Sequence, residues 1–299
     1  MAATWADLIE QTRGRIRGLL PTAVNELAAS PDASTTSLTL AVDAGDTGIG
    51  AGSVIEIGSE LVRVGSVSTV TLSSCIRGWA GSTAAAHTSG DMVISDSSVT
   101  ILEIIDALNA TMVDMTARGL HLMYTETFTP NGAKTLFEVT TANAERVWAV
   151  QGRNSSESTK PMISPRWQAF YNLASGIASS GIAVQFEKIY ATGVELYAIV
   201  GRSLPAVGAL TASPATDGLD AEYHDVAALG AAALLLEGEE ANRNAATGLS
   251  SSRRGGEVPP GSLSSAAEVL RRHYDRRCGR EAARLQAKFP PLGVIHADL

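Results

Sequence analysis

The spacing of apolar positions changes several times along the chain. Over residues 4–20 it is helical: Trp5, Leu8, Ile9, Ile16, Leu19 and Leu20 share one face, and Thr4 with Asp7 can cap the start. Gly14 and Gly18 weaken this helix, so it needs a partner surface. Pro21 and the polar run from Ser30 lead out into a loop. From Ser37 to Ile94 the period becomes two, in SLTLAV, SVIEIG, ELVRVGSV and TVTLSSCI, separated by Gly- or Ser-rich turns. Gly58-Ser59 is placed as a hairpin turn that brings Ile55 and Ile57 beside Leu61 and Val64. Glu56, Glu60 and Arg63 are then expected near the other face or the turn.

Helical spacing returns in SSVTILEIIDALNATMVDMTARG. Thr100 and Glu103 form a capping box, Val99 and Ile104 a hydrophobic staple, and Ile101, Ile104, Ile105, Leu108, Met112 and Met115 one apolar stripe. Methionines at that spacing read as core filling. From about Tyr124 to Val207 the pattern alternates again, opening with Pro130-Asn131-Gly132 and holding Trp148, Trp167, Phe170, Tyr171, Phe186, Tyr190 and Tyr197 as candidate core aromatics. Two further helices are predicted over Asp217 to about Asn244 and Leu263 to about Phe289, joined by the linker TGLSSSRRGGEVPPGS. After Pro290-Pro291 comes LGVIHADL, read as an extended arm.

These elements predict an α+β chain: a bundle of about four helices with two inserted antiparallel β-modules, a small β-barrel or hairpin module and a β-sandwich. The boundaries are 1–30 for an N-terminal helix, 34–96 for the small β-module, 97–123 for a central helix, 124–210 for the sandwich, 217–289 for the C-terminal helices and 290–299 for the arm.

Charge divides the last two helices. The first carries Asp217, Asp220, Glu222, Asp225, Glu237, Glu239 and Glu240 without a Lys or Arg up to residue 240. The second carries Arg271, Arg272, Arg276, Arg277, Arg280, Arg284 and Lys288 against Asp275 and Glu281. Lacking interleaved aromatics, this basic face reads as solvated or as a contact to acidic neighbours in preference to nucleic acid. The net charge of −8 disfavours general attraction to nucleic acid or an anionic membrane. No apolar run approaches the roughly 20 residues of a membrane span, and the N-terminus lacks a signal-peptide core, so no membrane partner is expected. Cys75 and Cys278 lie far apart without CxxC spacing, which fits free thiols in a reducing compartment.

Candidate chemistry is sparse. His87, His121, His224, His273 and His296 stand in no recognisable nucleophile context, and Gly78-Trp79-Ala80-Gly81-Ser82 is not GxSxG. No HExxH, paired cysteine or calcium-loop spacing occurs, and the glycines after Asp46 lack the Lys of a phosphate loop. No catalytic residue, metal or cofactor is expected. In CIRGWAGSTAAAHTSGD, Arg77 and Trp79 are expected to pin a long turn to the β-layer, with His87 and Asp91 hydrogen-bonding across it.

The segment GSVIEIGSELVRVGSVSTVTLSSCIRGWAGSTAAAHTSGDMV resembles a module that recurs in structural proteins of tailed bacteriophages. The matching residues are Glu60, Val64, Arg77, Gly78, Gly81, Ser82, Ala84, His87, Gly90, Asp91 and Val93. The second β-region, the helical ending and the Pro-broken arm are similar in layout to phage head-to-tail connector and adaptor proteins. That resemblance implies a non-enzymatic ring of identical subunits, a dodecamer, at the capsid–tail junction of the virion. Its partners would be the portal protein, the next tail-side connector or tail protein, and DNA in transit through the lumen. The interface would include Arg271, Arg272, Arg276, Arg280 and Arg284, with Leu292, Val294 and Ile295 on the arm reaching into the portal. A tail, baseplate or fibre-attachment protein, and a virion-associated hydrolase using paired carboxylates, remain alternatives.

Overall fold

A computed structural model describes residues 4–16, 23–95, 99–154, 165–210, 212–247 and 261–289. Their contacts divide into two compact units. The first comprises Met1–Thr111, Ala206–Asp217 and Ala221–Tyr274, and the second Met112–Pro205, Gly218–Asp220 and Asp275–Leu299.

The first unit opens with helix α1 (Trp5–Ile16), capped reciprocally: the Asp7 N–H donates to Thr4 Oγ1 at 3.1 Å and the Thr4 N–H to Asp7 Oδ2 at 2.8 Å. Residues 17–20 of the expected helix lie outside the described residues. The region expected to hold only a helix and its exit also contains a strand, β1 (Ala23–Glu26), which pairs with the last strand of the small module. In four residues, Asn25 buried between exposed Val24 and Glu26 gives too short an alternation to stand out, and the long-range partner decides their state.

The module continues through β2 (Leu38–Thr39), β3 (Val54–Ile57), β4 (Glu60–Arg63), β5 (Ser66–Ser68), β6 (Thr71–Ser73) and β7 (Met92–Ser95). Two antiparallel sheets result, β1-β7-β3-β4 and β2-β6-β5, with no closed barrel among the described residues. They enclose one core of Leu27, Leu38, Leu40, Ile55, Ile57, Val62, Leu72 and Val93. The Gly58-Ser59 turn joins β3 to β4 with Ile57 opposite Glu60, and Gly58 supplies the left-handed φ of 59° that the two-residue turn needs.

Helix α2 (Ile101–Ala117) starts at the capping box as expected: the Thr100 N–H donates to Glu103 Oε2 at 2.6 Å and the Glu103 N–H to Thr100 Oγ1 at 3.3 Å. Val99 and Ile104 are both buried.

The second unit holds β8 (Leu122–Phe128), β9 (Leu136–Glu138), β10 (Ala144–Asn154), β11 (Trp167–Phe170), β12 (Ala183–Phe186) and β13 (Val194–Arg202). They form sheets β10-β13-β8 and β11-β12-β9, which share one core. Phe128, Phe137, Phe186 and Tyr190 stack through it at centroid distances of 5.5–5.7 Å. Tyr171, expected in this core, is 43% exposed, and its hydroxyl accepts the Val147 N–H of β10.

Two long helices close the chain order, α3 (Ala221–Thr247) and α4 (Ser262–Lys288). The α3 segment from Val226 to Ala233 is buried at every position, which makes it a central helix of the first unit. Alanines allow that, and so does Gly230: a Cβ there would lie 2.5 Å from Thr111 Cγ2 and 2.8 Å from Tyr274 Cε2. Glycine costs a helix interior about 1 kcal/mol relative to alanine. Here the larger side chain has no room, and overpacking costs about 1–3 kcal/mol. Gly230→Ala is therefore expected to lower stability by up to about 2 kcal/mol in denaturant unfolding despite alanine's higher helix propensity. A stabilised variant would contradict the packing described.

Candidate functional site: a buried carboxylate under the 77–91 loop

Glu60 begins β4 immediately after the tight turn, and its side chain is inaccessible to solvent. Five donors converge on it. Arg77 spans the carboxylate, Nε to Oε1 and Nη2 to Oε2, both at 2.7 Å. The Gly78 N–H reaches Oε1 at 3.0 Å, the Ala85 N–H reaches Oε2 at 3.0 Å, and His87 Nε2 lies 2.8 Å from Oε2. Arg77 spends its remaining donors on the Asp32, Thr35 and Ala85 carbonyls. A segment without strand pairing is thus tied to the sheet by side-chain bonds, which replace the ladder it lacks.

Burial works to raise the Glu60 pKa, but the bonds from Arg77, Ala85, His87 and Gly78 together hold it down at about 2. His87 must donate from Nε2 to a carboxylate in this state, which fixes its tautomer. The expected His87–Asp91 bond is not formed: Nδ1 lies 3.7 Å from Asp91 Oδ2, and Asp91 instead accepts the Thr88 N–H at 2.9 Å and its hydroxyl at 2.8 Å. Arg77 does pin the loop, through Glu60. Trp79 does not join the module core; its ring lies under the Arg63 guanidinium, 4.8 Å away. Gly78 and Gly81 take left-handed φ values of 62° and 88°, as does Gly90 at 91°.

Two of the acids expected at the outer face or the turn are buried instead. The second, Glu56, accepts Arg13 of α1 and the Ile101 N–H of α2, the latter at 3.1 Å. Burial pushes its carboxyl above the ordinary value, with Arg13 opposing. Sequence alternation placed both acids on strands, but their partners stand 17 to 45 residues away, and no local pattern reports those contacts.

Chemically, the Glu60 site is closed. Its oxygens are saturated with donors and cut off from solvent, so Glu60 cannot take a proton from a bound substrate. A concavity of about 540 Å³ in the second unit is lined by Tyr124, Thr125, Glu126, Thr127, Thr140, Thr141, Ala142 and Arg202. Glu126 is its one carboxylate, and it already accepts the N–H and hydroxyl of both Thr140 and Thr141.

The basic residues of α4 are dispersed in their pairing. Arg271 meets Glu237 of α3 at 3.9 Å, so one acid–base contact between these helices is made within the chain. Arg272 pairs with Glu268 and Arg284 with Glu281 on the same helix. Arg276 and Arg280 are exposed and make no ion pair among the described residues. Leu292, Val294 and Ile295 lie outside the described residues.

No family model and no curated protein matches the chain. Among solved structures, the neck of an empty gene transfer agent (GTA) particle computed with C6 symmetry aligns at 11% identity and a TM-score of 0.22, covering 57% of this chain and 77% of that one. The virion of the native GTA particle gives the same identity, coverage and TM-score. The native neck computed with C12 symmetry gives 10% identity and a TM-score of 0.20 over 56% and 80%.

The depressed Glu60 pKa fixes a pH window. The unfolded carboxyl takes up its proton near 4.5 and the folded one near 2, so the stabilisation is complete above 4.5 and drains away as pH falls from 4.5 to 2. Glu60→Gln is expected to flatten that part of the acid-denaturation profile relative to the wild type. Glu60→Ala, which leaves Arg77 buried without its counter-ion, is expected to cost about 3–5 kcal/mol in denaturant unfolding. Identical profiles for wild type and Glu60→Gln would contradict the assignment.

Proposed function

We propose that the chain is a non-enzymatic structural protein of a phage-like virion: a head-to-tail adaptor that forms a ring beneath the portal and links capsid to tail. One observation carries this reading. The residues that match the phage module, Glu60, Arg77, Gly78 and His87, converge on a single buried carboxylate, and Gly81 and Gly90 shape the loop around it. Such an arrangement stiffens a loop and leaves no group free to react.

Exposed Arg276 and Arg280 on α4 suit contact with an acidic neighbour, the portal or an adjacent subunit. Overall acidity suits a lumen through which DNA passes without sticking. No described helix is long and apolar enough to cross a membrane.

Electron microscopy of the purified protein mixed with its portal tests the proposal. A twelve-fold ring seated on the portal is expected, and Arg276→Glu with Arg280→Glu is expected to give folded protein that no longer attaches. Three-fold or six-fold assembly at the distal tail, or hydrolysis of cell-wall material by the purified protein, would overturn it.

A further inference from the structure

Opposite edges of the sheet β1-β7-β3-β4 carry complementary surfaces. At the β4 edge the Arg63 guanidinium lies over the Trp79 ring. Ile76, which pairs with Arg63 in an isolated antiparallel bridge, stands beside it 52% exposed. Arg63 makes no ion pair among the described residues. The loop presenting Trp79 places three of four consecutive residues at positive φ, including Ala80 at 53°. A non-glycine residue held there costs on the order of 1 kcal/mol, and such strain gathers where a loop must present a side chain. Glu60 holds the strained segment through the Gly78 N–H. Tryptophan and arginine together are the side chains on which protein interfaces most often anchor.

At the β1 edge, Glu26 and Met92 face each other across the β1–β7 pairing, both exposed, and Val24 lies two residues along on the same face, 45% exposed. The Glu26 carboxylate also lacks an ion pair among the described residues. Each sheet edge already carries a backbone bridge, Leu27 to Leu40 and Arg63 to Ile76, which favours association through side chains over strand addition.

We propose that these two patches dock on each other between successive copies of the chain. Glu26 of one copy meets Arg63 of the next, while Met92 and Val24 cover Trp79 and Ile76. A methionine sulfur against an indole adds a favourable contact to the burial. Because the two patches differ, the contact is head-to-tail, the kind that closes into a ring. Closure rests on the ring reading above; the contact itself does not.

Cysteine trapping tests it, since Cys75 and Cys278 are buried and do not compete. Chains carrying Met92→Cys are mixed with chains carrying Ile76→Cys under mild oxidant, and disulfide-linked dimer is followed on non-reducing gels. The mixture is expected to cross-link at least about tenfold faster than either variant alone, as a specific oriented contact would. Adding Arg63→Glu to the Ile76→Cys chain is expected to abolish the excess, and Glu26→Arg on its partner to restore it. No excess in the mixture, or an excess indifferent to charge reversal, overturns the contact. If wild-type rings still form in that case, the ring reading stands without it; a charge-dependent excess without closed rings retains the contact and removes the ring.

Discussion

The small β-module depends on keeping the Glu60 carboxylate charged in a place without water. A carboxylate removed from solvent loses several kcal/mol of hydration unless donors replace it. The chain replaces it with a bidentate guanidinium, an imidazole and two backbone N–H groups. Those donors come from residues 77, 78, 85 and 87, so satisfying one side chain dictates the path of eleven residues that have no sheet partners. The left-handed glycines and the half-buried position of Trp79 beside Arg63 follow from that path.

The same logic, in weaker form, ties helices to the module. Glu56 sits one strand away and accepts from both α1 and the first turn of α2. Its carboxyl is raised where that of Glu60 is lowered, because fewer donors oppose its burial. Glu56 therefore orients elements at some electrostatic cost, while Glu60 is a net source of stability. Arg63, Glu26, Arg276 and Arg280 are among the charges outside these networks, each without an ion pair among the described residues.

Much of this architecture is legible in the sequence where a local rule governs. The Thr100–Glu103 capping box and the Gly58-Ser59 turn use contacts within a few residues and form as read, and α3 falls within the predicted helical stretch; in the hairpin, however, Leu61 pairs with Glu56 on the other face, and Val62 with Val64 takes the core place beside Ile55 and Ile57. The α+β class follows from them. Strand β1 was not legible, because its four residues are fixed by β7, some seventy positions later. Nor was the burial of Glu60: period-two alternation assigns a face but not what covers it, and Arg77 and His87 arrive from a loop. The partner of His87 was misread for that reason, a nearby Asp91 being the evident choice and the distant Glu60 the real one. The basic face of α4 was legible as composition, but which of its arginines are already paired within the chain was not.

One buried carboxylate, Glu60, makes the 77–91 loop an integral part of its module. Hydrogen exchange at the Gly78 and Ala85 amides measures this most directly, since both donate to the Glu60 carboxylate and neither belongs to a strand ladder. Protection comparable to that of the β3–β4 ladder amides is expected. Exchange at the rate of an unstructured loop, with the ladder still protected, would contradict it.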